Sequence, residues 1–166
     1  YLMDSAGGND LDAIMQEAGR PGGIGPGNPN PAERIENGLL SYGGDTDDHT
    51  NPFEVRLGKY VDLHLDDEVI GIKALREIKA QGVKRHQLGI TLDTAERGRG
   101  HQRWYDVTRD GRVVGQMTNG VWSPRMQRMA GYVLVSVDVQ PGDKVMVLRD
   151  GVKEPATLHD IPFPTT

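Results

Sequence analysis

The sequence predicts an α+β chain. Its first half mixes helix and loop, and its second half is all β, a small antiparallel barrel or sandwich. Three observations predict this. The spacing of apolar residues changes from about 3.6 to 2 near residues 80–85. Two Asp-Gly pairs, Asp110-Gly111 and Asp150-Gly151, separate alternating runs as hairpin turns do. Gly (22) and Pro (10) make up about a fifth of the 166 residues, against roughly 12% in an average protein. That excess argues for many turns and against a helical bundle or coiled coil.

Taken in order, residues 9–19 read as a helix, because Leu11, Ile14, Met15 and Ala18 form one apolar stripe. Asn9 or Asp10 caps it, and Gly19 with Pro21 ends it. Residues 21–31 hold four Gly and four Pro and form a loop. Pro31 suits the first position of a second short helix whose apolar residues are Ile35, Leu39 and Leu40. A second loop spans Gly43 to Asn51. Phe53 to Leu65 alternates as a strand, through Val55, Leu57, Val61 and Leu63. Ile70 to Gln81 is a helix with Ala74, Leu75 and Ile78 inward and Gly82 as its stop. The predicted strands that follow are 87–92, 104–108, 112–117, 131–139, 144–148 and 152–158.

Composition excludes several functions. The net charge of −5 offers no electrostatic case for a nucleic-acid binder. No run of 18 apolar residues exists, so no membrane span is expected. With no Cys there are no disulfides, thiolate nucleophiles, zinc fingers or iron–sulfur clusters, and a reducing cytoplasm fits. The start at Tyr1 rather than Met predicts a processed or truncated chain.

Chemistry-bearing patterns are few. Asp45, Asp47 and Asp48 begin like a calcium loop, but Thr50 and Arg56 stand where Gly and Glu are needed, so a solvated loop is expected. The Gly-rich stretch 22–27 follows a helix and carries prolines that lack donors, so it is a connector rather than a phosphate cradle. The five His residues (49, 64, 86, 101 and 159) lack zinc-site spacing and read as surface residues. Ser123 is followed by Pro124, which breaks a nucleophile elbow. Arg97, Arg99, His101 and Arg103 form a basic cluster: a surface loop, or a contact for a polyanionic tail.

Several segments, in order, resemble one family. They are Glu33 to Gly43, Asn51-Pro52-Phe53-Glu54, Leu57-Gly58-Lys59-Tyr60-Val61, Ile70-Gly71 with Ala74-Leu75, Val114 to Gly120 with Ser123-Pro124, and Ile161-Pro162-Phe163. Together they resemble the C-terminal half of the aminomethyltransferase family, which includes the glycine cleavage T protein and folate-dependent demethylases. Pro29-Asn30 before Arg34, and Leu40-Ser41-Tyr42-Gly43, look most like the dimethylsulfoniopropionate demethylase subgroup. T proteins usually carry Arg where Asn30 stands. Gly71-Ile72 and Thr118-Asn119-Gly120 depart from the family's Gly-Lys and Thr-Ser-Gly.

The resemblance implies a fold and an activity. Residues 1–83 would be the end of a mixed α/β folate-binding domain, and residues 84–166 a small antiparallel β-barrel domain. The family's catalytic Asp and pterin-binding Glu would lie upstream of Tyr1, so this chain carries no catalytic residue and its partner is the missing N-terminal half. The implied reaction moves a methyl group from a sulfonium to tetrahydrofolate, without metal. Asn30, Arg34, Tyr42 and Trp122 are the implied cofactor-binding residues; the structural readings are pairing of Arg34 with Glu36 or a neighbour, helix-end packing of Tyr42 and core packing of Trp122, otherwise placed in the loop after the hairpin. Folate-dependent O- or N-demethylation, glycine-cleavage aminomethyl transfer and non-catalytic folate binding stay open. So does a homodimer.

Overall fold

The computed structural model describes residues 31–93 and 104–163. The expected helix 9–19, the loop 21–30, Asn30 and the basic cluster 97–103 lie outside the described residues.

The second half closes into a barrel. Its strands are β1 (Arg85–Leu92), β2 (Tyr105–Arg109), β3 (Arg112–Ser123), β4 (Arg128–Ser136), β5 (Lys144–Arg149) and β6 (Val152–His159). Around the barrel they run β1-β4-β3-β2-β5-β6, and β6 returns to β1. Every pairing is antiparallel. Both Asp-Gly turns form as expected, because Asp110 and Gly111 (φ 52 and 78) and Asp150 and Gly151 (φ 48 and 84) occupy the left-handed region such turns require.

Inward residues of all six strands fill the barrel, including Leu88, Ile90, Leu92, Val107, Met117, Val133, Val147 and Leu158. A second core lies outside it. There the outward face of β4, Ala130 and Tyr132, meets Ile35, Ile161 and Phe163. Ile35 comes from helix α1 (Pro31–Glu36). This two-sided burial leaves β1 and β4 buried along most of their length. Fully burying a side chain such as Ile35 contributes about 1.5–3 kcal/mol, so the outer layer is part of the fold.

The first half differs from expectation in three places, the first being that Leu39 and Leu40 lie beyond the end of α1 at Glu36. Phe53 to Leu65 is not a strand; it is a series of turns with one 3-10 turn, Gly58–Tyr60. Asn51 Oδ1 accepts the amides of Phe53 and Glu54, and Leu57 N bonds back to Pro52 O. This local side-chain bonding replaces a sheet ladder. Helix α2 (Ile72–Gln81) forms, but only Ile72 is buried; Ala74 is exposed and Leu75 and Ile78 are half-buried. Of its apolar stripe, Ile78 lines two open clefts instead of a core.

Candidate functional site

The loop 41–46 follows α1, and its placement begins with the helix end. Gly38, at φ +76, ends the helix: its amide bonds to Ile35 O, and Leu39 N bonds to Arg34 O. Arg34 then reaches forward. Its Nη1 donates to Leu39 O at 3.0 Å and to Asp45 Oδ2 at 2.6 Å, while the guanidinium stands 5.9 Å from the Tyr132 ring centre. The sequence left open a pairing of Arg34 with Glu36. Glu36 instead accepts from the Ser123 hydroxyl at 2.5 Å and pairs with Arg125.

Asp45 departs from the expected solvated loop. It is 1% exposed. Its Oδ2 also accepts Ser41 N at 2.9 Å, and its Oδ1 accepts from Thr118 Oγ1 at 3.4 Å. Thr118 reaches it because a β-bulge in β3, between Met117 and Asn119, turns this residue outward. Asp47 behaves as a surface turn residue. Its bond from the Thr50 hydroxyl holds its carboxyl below the usual carboxylate range, with His49 adding to the effect.

The loop is tied on every side. Ser41 O accepts the amides of Gly44, Asp45 and Thr46, and Gly43 N bonds to Thr46 O at 2.7 Å. Trp104 Nε1 donates to Gly44 O at 3.1 Å. From this fixed loop Tyr42 projects, 77% exposed. The ring is therefore not packed at the helix end. Trp122 lies within β3, opposite Met129, and not in a loop after the hairpin; it is half-buried against the barrel core.

Trp104 also lines a cleft of about 550 Å³ between the barrel wall and the first half, with Asn51, Glu54, Arg85, Gln116 and Ser136. Its floor is stitched together. Arg85 Nε donates to Glu54 Oε1 at 2.6 Å, and Gln87 N bonds to Glu54 O at 2.8 Å. Gln116 donates its amide to Asp106 Oδ1 at 3.1 Å. Trp104 and Glu54 escaped the reading of the sequence as site residues; the one available signal was Glu54 within the Asn-Pro-Phe-Glu motif.

Among the described residues no group of three or more His, Asp or Glu side chains could hold a metal ion. No described helix is long and apolar enough to cross a membrane. His86 and His159 are half-buried rather than surface residues: each ring Nε2 is 2.8 Å from a partner, Val139 O and Thr91 Oγ1 respectively.

Comparisons with known proteins agree with this architecture. Residues 85–164 match the family described as the glycine cleavage T-protein C-terminal barrel domain. An aminomethyltransferase of Synechococcus sp. (strain RCC307) is 32% identical over 164 residues, covering 98% of this chain and 44% of the relative. One from Clostridium botulinum (strain Loch Maree / Type A3) is 35% identical over 125 residues, covering 75% of this chain and 32% of the relative. The chain thus spans less than half the length of the relatives it matches. The crystal structure of the glycine cleavage system aminomethyltransferase T from Bartonella henselae shares the fold, with a TM-score of 0.70 at 23% identity over 81% of this chain and 38% of that one. In sequence and in strand architecture the barrel therefore matches the C-terminal barrel domain of glycine cleavage T-proteins, and the aminomethyltransferase relatives support that family for this chain.

Proposed function

We propose that this chain is part of a tetrahydrofolate-dependent one-carbon transferase working in a reducing cytoplasm, and that its donor is a sulfonium such as dimethylsulfoniopropionate. The observation that carries the folate reading is Tyr42, whose ring stands 77% exposed on a loop whose other groups are tied down. A planar heteroaromatic ring is what such a face accommodates. The cleft behind Trp104, about 550 Å³, lies within the roughly 300–1,000 Å³ range of small-molecule sites.

In this reading Asn30 and Tyr42 touch the folate, and Trp122 lends its aromatic face to the benzoyl portion. Arg34 acts from behind, since its charge is already paired with Asp45. Bound tetrahydrofolate supplies N5 as the methyl acceptor. The S–CH3 bond of the sulfonium would break with its electron pair staying on sulfur, which would leave as a neutral thioether, while N5 would bond the methyl carbon and give up its own proton to a base. Little acid catalysis is then needed, and in-line positioning of the two reactants is the main requirement, worth about 7–11 kcal/mol. The upstream half of the same enzyme provides the catalytic Asp and the pterin clamp. Asn30, where T proteins carry Arg, supports the sulfonium donor over an aminomethyl group; the relatives' common name favours the aminomethyl donor as the second reading.

Two measurements test this. The complete enzyme is incubated with tetrahydrofolate and dimethylsulfoniopropionate, and 5-methyltetrahydrofolate is followed by chromatography. Turnover only with an aminomethyl donor overturns the sulfonium reading. Calorimetry of the 166-residue chain with tetrahydrofolate is expected to show far weaker binding than the complete enzyme. Equal affinity would overturn the shared site.

A further inference from the structure

We propose that Asp45 is a positioning residue: it fixes loop 41–46 so that the Tyr42 ring is presented to the planar ring of the one-carbon acceptor. This rests on the folate reading of Tyr42 given above.

The fold does not need the Tyr42 ring for its packing. A ring 77% exposed contributes almost nothing to burial. Asp45, three residues on, is by contrast 1% exposed, a placement that desolvates a carboxylate. A buried pair such as Asp45 and Arg34 gains little over an apolar pair of the same volume, but it specifies geometry. Here the geometry specified is the loop. Asp45 Oδ2 holds Ser41 N, immediately before Tyr42, while Arg34 Nη1 bridges Oδ2 to the helix-end carbonyl of Leu39. Thr118 Oγ1 fixes the other carboxyl oxygen to β3. Trp104 holds Gly44 O from the cleft side. Ser41, Gly44 and Asp45 are thus each held by a partner, and Tyr42 lies between them. Gly43, at φ +82, has open space where a Cβ would stand.

The test is a double-substitution cycle in the complete enzyme, read as the tetrahydrofolate Kd, with Tyr42→Ala, Asp45→Asn and both together. Tyr42→Ala is expected to raise Kd about 5- to 150-fold, taking ring stacking on an aromatic side chain as the measure. Asp45→Asn alone raises Kd within that range, and the pair is no weaker than Tyr42→Ala alone. An independent readout comes from the 166-residue chain carrying Trp122→Phe, in which Trp104 is the remaining indole. Asp45→Asn is expected to shift its emission as Gly44 O leaves the indole N–H, whereas Tyr42→Ala leaves it in place. Should Asp45→Asn fail to fold, Trp104→Phe removes the same loop's other anchor and takes its place in the cycle. Effects of Asp45→Asn or Trp104→Phe that add in full to Tyr42→Ala, or an unchanged Kd in either, overturn the positioning role alone. A Tyr42→Ala enzyme with unchanged Kd overturns the folate reading and this inference with it.

Discussion

The hydroxyl of Tyr132, on β4, lies 3.0 Å from the carbonyl oxygen of Ile35 in α1, joining the barrel to the helix packed outside it. The carbonyls of Arg34 and Leu39 stand at 3.1 and 3.2 Å from the same hydroxyl. Burial pushes the phenol well above its ordinary value; Arg34 opposes this and Asp45 adds to it. The group is therefore a hydrogen donor at any working pH. The three carbonyls each also accept another donor, so Tyr132→Phe removes one buried hydrogen bond and is expected to cost about 0.5–1.5 kcal/mol. Urea unfolding should show a lower midpoint with an unchanged slope.

Gly131 sits closer still to its neighbour strand. A Cβ there would stand 1.9 Å from Asn119 O and 2.7 Å from the Met117 methyl carbon. Backbone on one side and core on the other leave no relief. Gly131→Ala is expected to destabilise the barrel at the upper end of about 1–3 kcal/mol, and thermal unfolding reports it. Gly142→Ala, with nothing within 4 Å but φ +94, serves as the strained but unclashed comparison.

The two hairpin tips permit a test of independence. Gly111 and Gly151 have φ of 78 and 84, and a left-handed conformation costs a residue bearing a Cβ about 1–2 kcal/mol. The antiparallel pairing of β2 with β5, Val107 opposite Val147, places the tips at opposite ends of that strand pair. Gly111→Ala and Gly151→Ala are each expected to cost that amount, and the double variant their sum within about 0.5 kcal/mol.

His159 gives a pH dependence with a definite sign. Burial lowers its pKa below the ordinary 6.5; Lys144 and Arg128 act in the same direction and Asp93 against. Below pH 6.5 the unfolded chain therefore binds the proton that the folded one resists. Stability is complete above that pH and falls as the pH drops through the window beneath it. His159→Gln, which can still bond the Thr91 hydroxyl, should flatten the slope of unfolding free energy between pH 7.5 and 5.5. A slope unchanged from the parent chain contradicts the assignment.

What the sequence made legible divides along physical lines. The barrel was readable because its strands alternate and its tight turns need Asp-Gly, both local properties. Helices α1 and α2 and the Gly82 stop were readable for the same reason. Phe53 to Leu65 misled because its alternation is real, yet the Asn51 side chain captures two amides and bends the chain. The fate of Asp45 was invisible: among Asp45, Asp47 and Asp48 nothing local distinguishes the one that Arg34, eleven residues earlier, and Thr118 on another strand draw into the interior. Trp104, whose indole joins the loop to the cleft, depends likewise on a contact between residues sixty apart.

The outer core also orders events during synthesis. Ile35 packs with Ile161 and Phe163, so helix α1 leaves the ribosome well before the side chains that cover it exist. At about 5–20 residues per second, the intervening stretch takes on the order of 6–26 s to make. For most of that interval the apolar side of α1 has no β4 to lie against, and until its end no C-terminal segment. The apolar side of α1 therefore lacks its full native cover until Phe163 closes over Gly89, where even one added methyl group would stand 2.8 Å from the ring.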